Sequence, residues 1–396
     1  MSPPQIPNAG LSVRRLNSLF IIGLAVLIAV AARAVNDPWH VAATKFLTLA
    51  NLELLILFAS VLFVGSLYRV LGNVADHLLY WTKFLRSPRL AIVSTALLLG
   101  AMPVKGRTVM VSPVVAEVAK KHRLGVFPTA LVNHLATHTS YLVSPLSASL
   151  LLVVSTLKLD FFRFVSYLLP GTAVLVAVVV YYAWRVRGTQ PVHDRRQELA
   201  LGAALVLTLP LLLLVGALAA AELFHLPFAV AAGAIIFSVL TVLAVRPRGK
   251  QLAQAIRRTD LQLVGTLALI LLLSAYTASL PGIKTWAQGL LASGFTLPLL
   301  IVVGYLTGMI IGSSTSIVAA VFPVLAPLLV GSSHIYPIAA VTYAAQYAGY
   351  VASPSHVCCH YVAAYFNKPY LQLWARISIV AISAALAVAL VAAWRW

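Results

Sequence analysis

One short break constrains this chain more than anything else in it, and it occurs twice: Tyr141-Leu142-Val143-Ser144-Pro145 and Tyr350-Val351-Ala352-Ser353-Pro354. Each lies in an apolar stretch long enough to cross a bilayer. Proline removes a backbone donor and clashes with the carbonyl one turn earlier. It also pushes the residue before it out of the helical region. Each stretch is therefore a helix that stops and restarts at membrane depth. Irregular backbone survives there only where protein or a wet cavity covers it.

The surroundings of the two breaks repeat as well. An offset of 209 places Pro128 on Pro337, Ala130 on Ala339, Ala136 on Ala345, Tyr141 on Tyr350, Ser144 on Ser353 and Pro145 on Pro354. A slip of one residue places Pro113 on Pro323. Shared spacing of this kind marks a duplicated unit.

Composition sets the solvent. Of 396 residues, 61% are hydrophobic and 9% charged, with a mean hydropathy of +0.96. Soluble domains carry roughly 25% charged residues, so the chain is a polytopic membrane protein. A net charge of +19 would suit nucleic acid. The basic residues are scattered over short loops, however, so the positive-inside bias accounts for them and nucleic acid is not an expected partner. The first apolar stretch, 16–35, is long enough to span and has no small-residue cleavage motif, so it reads as a span rather than a leader. The two cysteines, Cys358 and Cys359, are adjacent and give neither a disulfide framework nor a zinc spacing.

Read in order, 1–184 form a first repeat. It has spans at 16–35 and 46–67, the latter holding Glu53, joined by a loop at 37–45. Segments 90–102 and 107–119 are each too short for a core of ~30 Å. They read as a re-entrant hairpin over 90–120 with its tip near Gly106. The broken helix covers 126–157, and 164–184 returns. Residues 185–226 are a linker with an extra crossing at 199–221. The second repeat, 227–396, has spans at 227–245 and 261–280, a basic loop at 246–258 and an amphipathic segment at 282–295. A hairpin at 297–330, a broken helix at 335–366 and a closing span at 374–396 follow. The expected fold is all-α and polytopic, with two inverted-topology repeats, each containing a re-entrant helical hairpin and a helix broken at Ser-Pro.

Charge orients this plan. With the N-terminus cytoplasmic, inner segments carry 20 Lys and Arg and outer segments 6, with Lys105 and Arg107 left at the hairpin tip. That bias predicts a cell inner (plasma) membrane protein with its N-terminus inside and its C-terminus outside. Inverted repeats with paired breaks are the plan of alternating-access carriers, which bind substrate near the midplane.

The candidate site follows from the tips and the breaks. A cation at membrane depth costs at least ~2.5 kcal/mol and persists with a partner, in water or for function. Lys105 and Arg107, flanking Gly106, point to an anion, and arginine can clamp a carboxylate bidentately. The bland reading is that both reach the cytoplasmic surface, or that Lys105 pairs with Glu117. The other tip, Gly312-Ser313-Ser314-Thr315-Ser316, offers hydroxyls and carbonyls for a carboxylate oxygen or a sodium ion. Thr108, Asn133, Ser144, Ser353 and His356 complete the substrate set. Thr137, His138, Ser316 and Gln346 are candidates for a coupling ion or proton. No other cofactor and no resident metal is expected.

Two histidine pairs, His134 with His138 and His356 with His360, have i, i+4 spacing. One helix face can then present two imidazoles, which opens the alternatives of a metal-cation carrier and a proton relay. An intramembrane hydrolase is weaker, since neither a nucleophile elbow nor a His-Glu-x-x-His motif occurs.

The tips Met102-Pro103-Val104-Lys105-Gly106 and Gly312-Ser313-Ser314-Thr315-Ser316-…-Phe322-Pro323, with Ala348-Gly349-Tyr350-Val351-Ala352-Ser353-Pro354-Ser355-His356, resemble an uncharacterised integral-membrane family of the ion transporter superfamily. That superfamily also holds the sodium–dicarboxylate/citrate carriers and the large membrane subunits of TRAP transporters. The resemblance implies inverted repeats, a homodimer, an elevator-like shift, anionic substrates and often sodium symport. The dicarboxylate carriers place Ser-Asn-Thr at both tips. Lys-Gly-Arg-Thr and Ser-Ser-Thr-Ser stand here, which leaves sodium coupling, proton coupling and exchange all open.

Overall fold

A computed structural model describes residues 22–23, 25–71, 87–101, 107–186, 229–259, 261–277, 279–280, 289, 296–311, 314–354 and 356–395. The described residues form helices and turns, with no strand among them. In chain order the main helices are α1 (Leu49–Leu71), α2 (Pro88–Ala101), α3 (Arg107–Lys121), α4 (Val126–Val143), α5 (Ala148–Leu157) and α6 (Phe161–Arg185). They continue with α7 (Ala229–Val245), α8 (Gly249–Arg258), α9 (Leu261–Thr277), α10 (Thr296–Ile311), α11 (Ser314–Leu329), α12 (Ile335–Ala352), α13 (Val357–Tyr365) and α14 (Tyr370–Trp394). The linker crossing at 199–221, the amphipathic segment at 282–295 and both hairpin apices lie outside the described residues, apart from 289.

Two segments differ from the sequence reading. The loop expected at 37–45 holds a short helix, Pro38–Val41, and a wider turn, Ala42–Phe46. Asp37 starts it by accepting from the His40 amide at 3.0 Å. The basic loop expected at 246–258 contains α8, whose Ala255 is buried and accepts from Ser66 Oγ at 2.8 Å. Charge hid a helix that packs one small apolar residue and leaves its arginines outside.

The chain is built for lipid. Residues 126–157, α6 and α14 are long and apolar enough to cross a membrane, and the helices around 38–67 form a bent fourth candidate. Their outer faces carry exposed apolar side chains, including Leu169, Val180, Leu386 and Leu390. Helices α2 and α3 have 14 and 15 residues, which is about 21–23 Å of rise each. That falls short of a ~30 Å core. The two pack on each other, as do α10 and α11 in the second half.

The repeat is visible in hydrogen bonds. Helix α4 stops at Ser144, which is extended at φ −80° and ψ 127°, and α12 stops at Ser353, at φ −62° and ψ 130°. Each serine carbonyl then accepts from the amide three residues on: Ser147 at 2.9 Å and His356 at 3.0 Å. The restarted helices end alike too. Lys158 and Asn367 both adopt left-handed backbone, at φ 54° and φ 49°. The following amides reach back to Val154 and Ala363, each at 2.8 Å. Every one of these pairs is separated by the offset found in the sequence.

Packing follows the same symmetry. Helix α2 lies on α4 as α10 lies on α12, and α6 contacts α14. The two halves also cross over, since α11 packs on α5 and α3 on α13. Glycine permits the closest approaches. A Cβ on Gly100 would stand 2.5 Å from Thr137 Cα, and one on Gly308 2.5 Å from the Gln346 carbonyl oxygen. Thr137 and Gln346 are themselves repeat-related. Without a hydrophobic drive between helices in lipid, such small-residue contacts supply the packing.

Candidate functional site

The broken helices α4 and α12 are the most deeply buried elements. Every residue from Thr129 to Ser140, and every residue from Pro337 to Ala352, is buried. They meet at a pair the repeat already singled out: Tyr141 Oη lies 3.4 Å from Tyr350 Oη. Residues 209 apart in sequence touch, so the axis relating the halves passes between them.

The two sides of that axis differ. On one side three imidazoles converge. His138 Nε2 is 3.1 Å from His356 Nε2, and His134 stacks on His138 with ring centroids 4.1 Å apart. One ring nitrogen from each of the three falls within 4.8 Å of the others, and all three rings are buried. His138 Nδ1 lies 2.7 Å from the His134 carbonyl. A carbonyl only accepts, so Nδ1 carries the proton and Nε2 presents a lone pair.

On the other side, the repeat-related positions hold Tyr343, Tyr347 and Ser147. Tyr343 Oη donates to the Tyr141 carbonyl at 2.7 Å and lies 3.0 Å from Ser149 Oγ, which is 3.2 Å from Ser147 Oγ. A narrow crevice of about 10 Å³, room for about one water, lies here, lined by Tyr141, Ser314, Ile317, Tyr343, Gln346 and Tyr347. Both polar atoms of the buried Gln346 side chain lack a hydrogen-bond partner. The site thus pairs an imidazole cluster with a tyrosine-lined crevice, both beside unwound backbone.

Residues 13–393 match the family described as "Protein of unknown function (DUF401)". The chain belongs to that family. No curated protein matches it significantly. The DUF401 chain is similar in structure to the Alcanivorax borkumensis YdaH transporter, solved as a crystal structure and described as having an unusual topology. The TM-score is 0.61 at 13% identity, and the match covers 96% of this chain and 99% of that one. At that identity the likeness shows a shared fold.

The sequence-derived site residues divide into groups in the DUF401 chain. Lys105, Gly106 and Ser313 lie outside the described residues, and Arg107 and Ser316 are described only as helix backbone at the starts of α3 and α11. Thr108, Asn133 and Thr137 tie the first hairpin to α4. Asn133 Nδ2 donates to Ser112 Oγ at 2.8 Å, and Thr108 Oγ1 lies 3.2 Å from Thr137 Oγ1. Ser144 Oγ accepts from the Leu146 amide at 3.2 Å, which shapes the first break. Ser353 Oγ donates to the Met309 carbonyl at 2.7 Å and ties the second break to α10. Ser314 and Thr315 open α11 and are half-buried, with Ser314 at the crevice. His138 and His356 come together with His134.

The i, i+4 pairing of His356 with His360 does not survive folding. His356 caps α13 at φ −67° and ψ 96°, outside its helical register. His360 is exposed, stacks on Tyr370 at 4.1 Å and lies 2.6 Å from the Pro354 carbonyl. Sequence reasoning also passed over the tyrosines. Their signal was present, because Tyr336, Tyr343, Tyr347 and Tyr350 recur at helical spacing along one element.

Proposed function

We propose that the DUF401 chain is a secondary active transporter of small anions, with organic carboxylates as the substrate class, working by alternating access through an elevator-like shift. The observation that carries this reading is the contact of Tyr141 with Tyr350, each three residues before a Ser-Pro break in its own half. Open backbone at membrane depth is kept where it lines a passage. The fold shared with the YdaH transporter supports transport, and the tip and break sequences support a place in the ion transporter superfamily. An anion is favoured by charge. Arg107 begins α3, whose first turn has no acid, and a helix start carries partial positive charge.

In this reading Lys105 and Arg107 neutralise the substrate. Gly106, Thr108, Asn133, Ser313, Ser314, Thr315 and His356 line its path with the backbone at Ser144 and Ser353. Thr137, His138, Ser316 and Gln346 serve the coupling sodium ion or proton. The working unit is a homodimer in the cell's inner membrane, N-terminus inside. The test is uptake of labelled di- and tricarboxylates into proteoliposomes with and without a sodium gradient. Arg107→Ala should lower uptake at least tenfold at equal incorporation. Unchanged uptake by that variant would refute the anion role of the first tip.

A further inference from the structure

We propose that His134, His138 and His356 form a three-imidazole site for a divalent transition metal ion of the zinc or cobalt type, where the two repeats meet. It gives His138 and His356, assigned above to coupling and substrate, to the metal ion instead, and it does not depend on which anion is carried.

Geometry comes first. Two nitrogen ligands ~2.0–2.1 Å from a tetrahedral zinc lie about 3.3 Å apart. His138 Nε2 and His356 Nε2 are 3.1 Å apart, and a nitrogen of His134 lies within 4.8 Å of both; His134, stacked on His138 at 11°, turns its ring to complete the set. The His138 Nδ1–H bond to the His134 carbonyl aims Nε2 inward, as a metal-bound imidazole is commonly held by its other nitrogen.

Unmet bonding is the second observation. Neither ring nitrogen of His134 has a hydrogen-bond partner, nor does His356 Nδ1, and both side chains are at most 1% exposed. A buried polar atom left unsatisfied costs about 1–3 kcal/mol. Packed imidazoles would be expected to find carbonyls or hydroxyls. The repeat shows that this backbone can supply them: the mates of these histidines are Tyr343, Tyr347 and Ser147, and Tyr343 bonds to Ser149 and to the Tyr141 carbonyl. On that side Tyr343 and Ser147 find hydroxyl or carbonyl partners. On the other side His134 and His356 hold ring nitrogens that a shared cation would satisfy.

Ligand chemistry selects the ion. Imidazole nitrogen suits zinc, cobalt, nickel and copper, whereas magnesium and calcium require oxygen donors. Three neutral imidazole ligands leave the ion its double charge and an open fourth position, the arrangement that binds water, hydroxide or a carboxylate.

The test uses the full chain in detergent, with any polyhistidine tag removed, stripped by chelator and titrated with cobalt, then zinc. The expected result is one ion per chain with the visible absorption of four-coordinate cobalt, displaced by zinc. His134→Gln, His138→Gln and His356→Gln should each weaken cobalt binding at least tenfold, while His360→Gln binds as the parent does. X-ray absorption of the cobalt-loaded parent chain serves if a variant fails to fold, with three imidazole nitrogens expected around the ion. Absence of stoichiometric cobalt or zinc at micromolar concentration would overturn the site. So would a first shell without imidazole, or loss of binding in His360→Gln alone.

Discussion

Gly308→Ala tests the packing of α10 on α12 directly. Gly308 sits on α10, where an added Cβ would meet three backbone atoms of α12: the Gln346 carbonyl oxygen at 2.5 Å, the Tyr350 nitrogen at 2.7 Å and the Gly349 carbonyl carbon at 2.9 Å. Backbone cannot swing aside as a side chain does. Restoring ordinary contact at 3.4 Å requires the helices to part by roughly 0.9 Å, the difference between 3.4 and 2.5. A gap of 0.5–1 Å forfeits a quarter to a half of each dispersion contact, worth ~0.1–0.2 kcal/mol. Over a few tens of atom pairs that amounts to about 1–2 kcal/mol, within the ~1–3 kcal/mol typical of overpacking. Alanine's helix propensity, up to about 1 kcal/mol over glycine, offsets part of this in water. In a bilayer it offsets less, because the unfolded segment keeps its helical hydrogen bonds. The net expectation is a loss of about 0.5–1.5 kcal/mol. Gly265→Ala is the control, since it changes the same residue type within α9, where nothing lies within 4 Å of the new Cβ. Thermal unfolding in one detergent, followed by intrinsic fluorescence, should place Gly308→Ala several degrees below the parent and Gly265→Ala at or above it. If Gly308→Ala melts as high as Gly265→Ala, the close approach of α10 to α12 is wrong.

Gly100→Ala should behave like Gly308→Ala, because its Cβ would meet Thr137 Cα at 2.5 Å, and the same melting series tests it. Tyr343→Phe removes the donor to the Tyr141 carbonyl and the partner of Ser149, so stability should fall by about 1–3 kcal/mol, read as lower thermal stability and faster amide exchange around 141–149. Ser353→Ala cuts a 2.7 Å tie from the second break to α10 and should cost about 0.5–1.5 kcal/mol in the same unfolding assay. Neither cysteine is in a disulfide, and Cys359 is buried while Cys358 is half-buried. A maleimide should label the folded chain at Cys358, so Cys358→Ser should remove the label and Cys359→Ser should keep it.

The duplicated plan was legible because its signals are local. Ser144-Pro145 and Ser353-Pro354 break helices through backbone chemistry that needs no tertiary partner. The arms around Gly106 and Gly312 are too short to cross, whatever they pack against. The offset of 209 also predicted which residues share a structural role, and Lys158 with Asn367 take the same left-handed cap although their side chains differ. The histidines were legible only as spacing. Helical register assigned His356 to His360, but the break places His356 ahead of α13, where register no longer applies. The tyrosine-lined crevice was missed because an aromatic at helical spacing is ordinary core until a facing helix is known.

The amino-acid sequence alone decided that the chain lives in lipid, folds as two related halves and interrupts its helices at fixed points, since hydropathy, length and proline act within one segment. Tertiary structure decided what those interruptions face. Tyr141 meets Tyr350, and three imidazoles gather on one side of that contact with hydroxyls on the other. Those partners lie up to 222 residues apart, from His134 to His356, and no local rule records which surfaces of two remote helices come together.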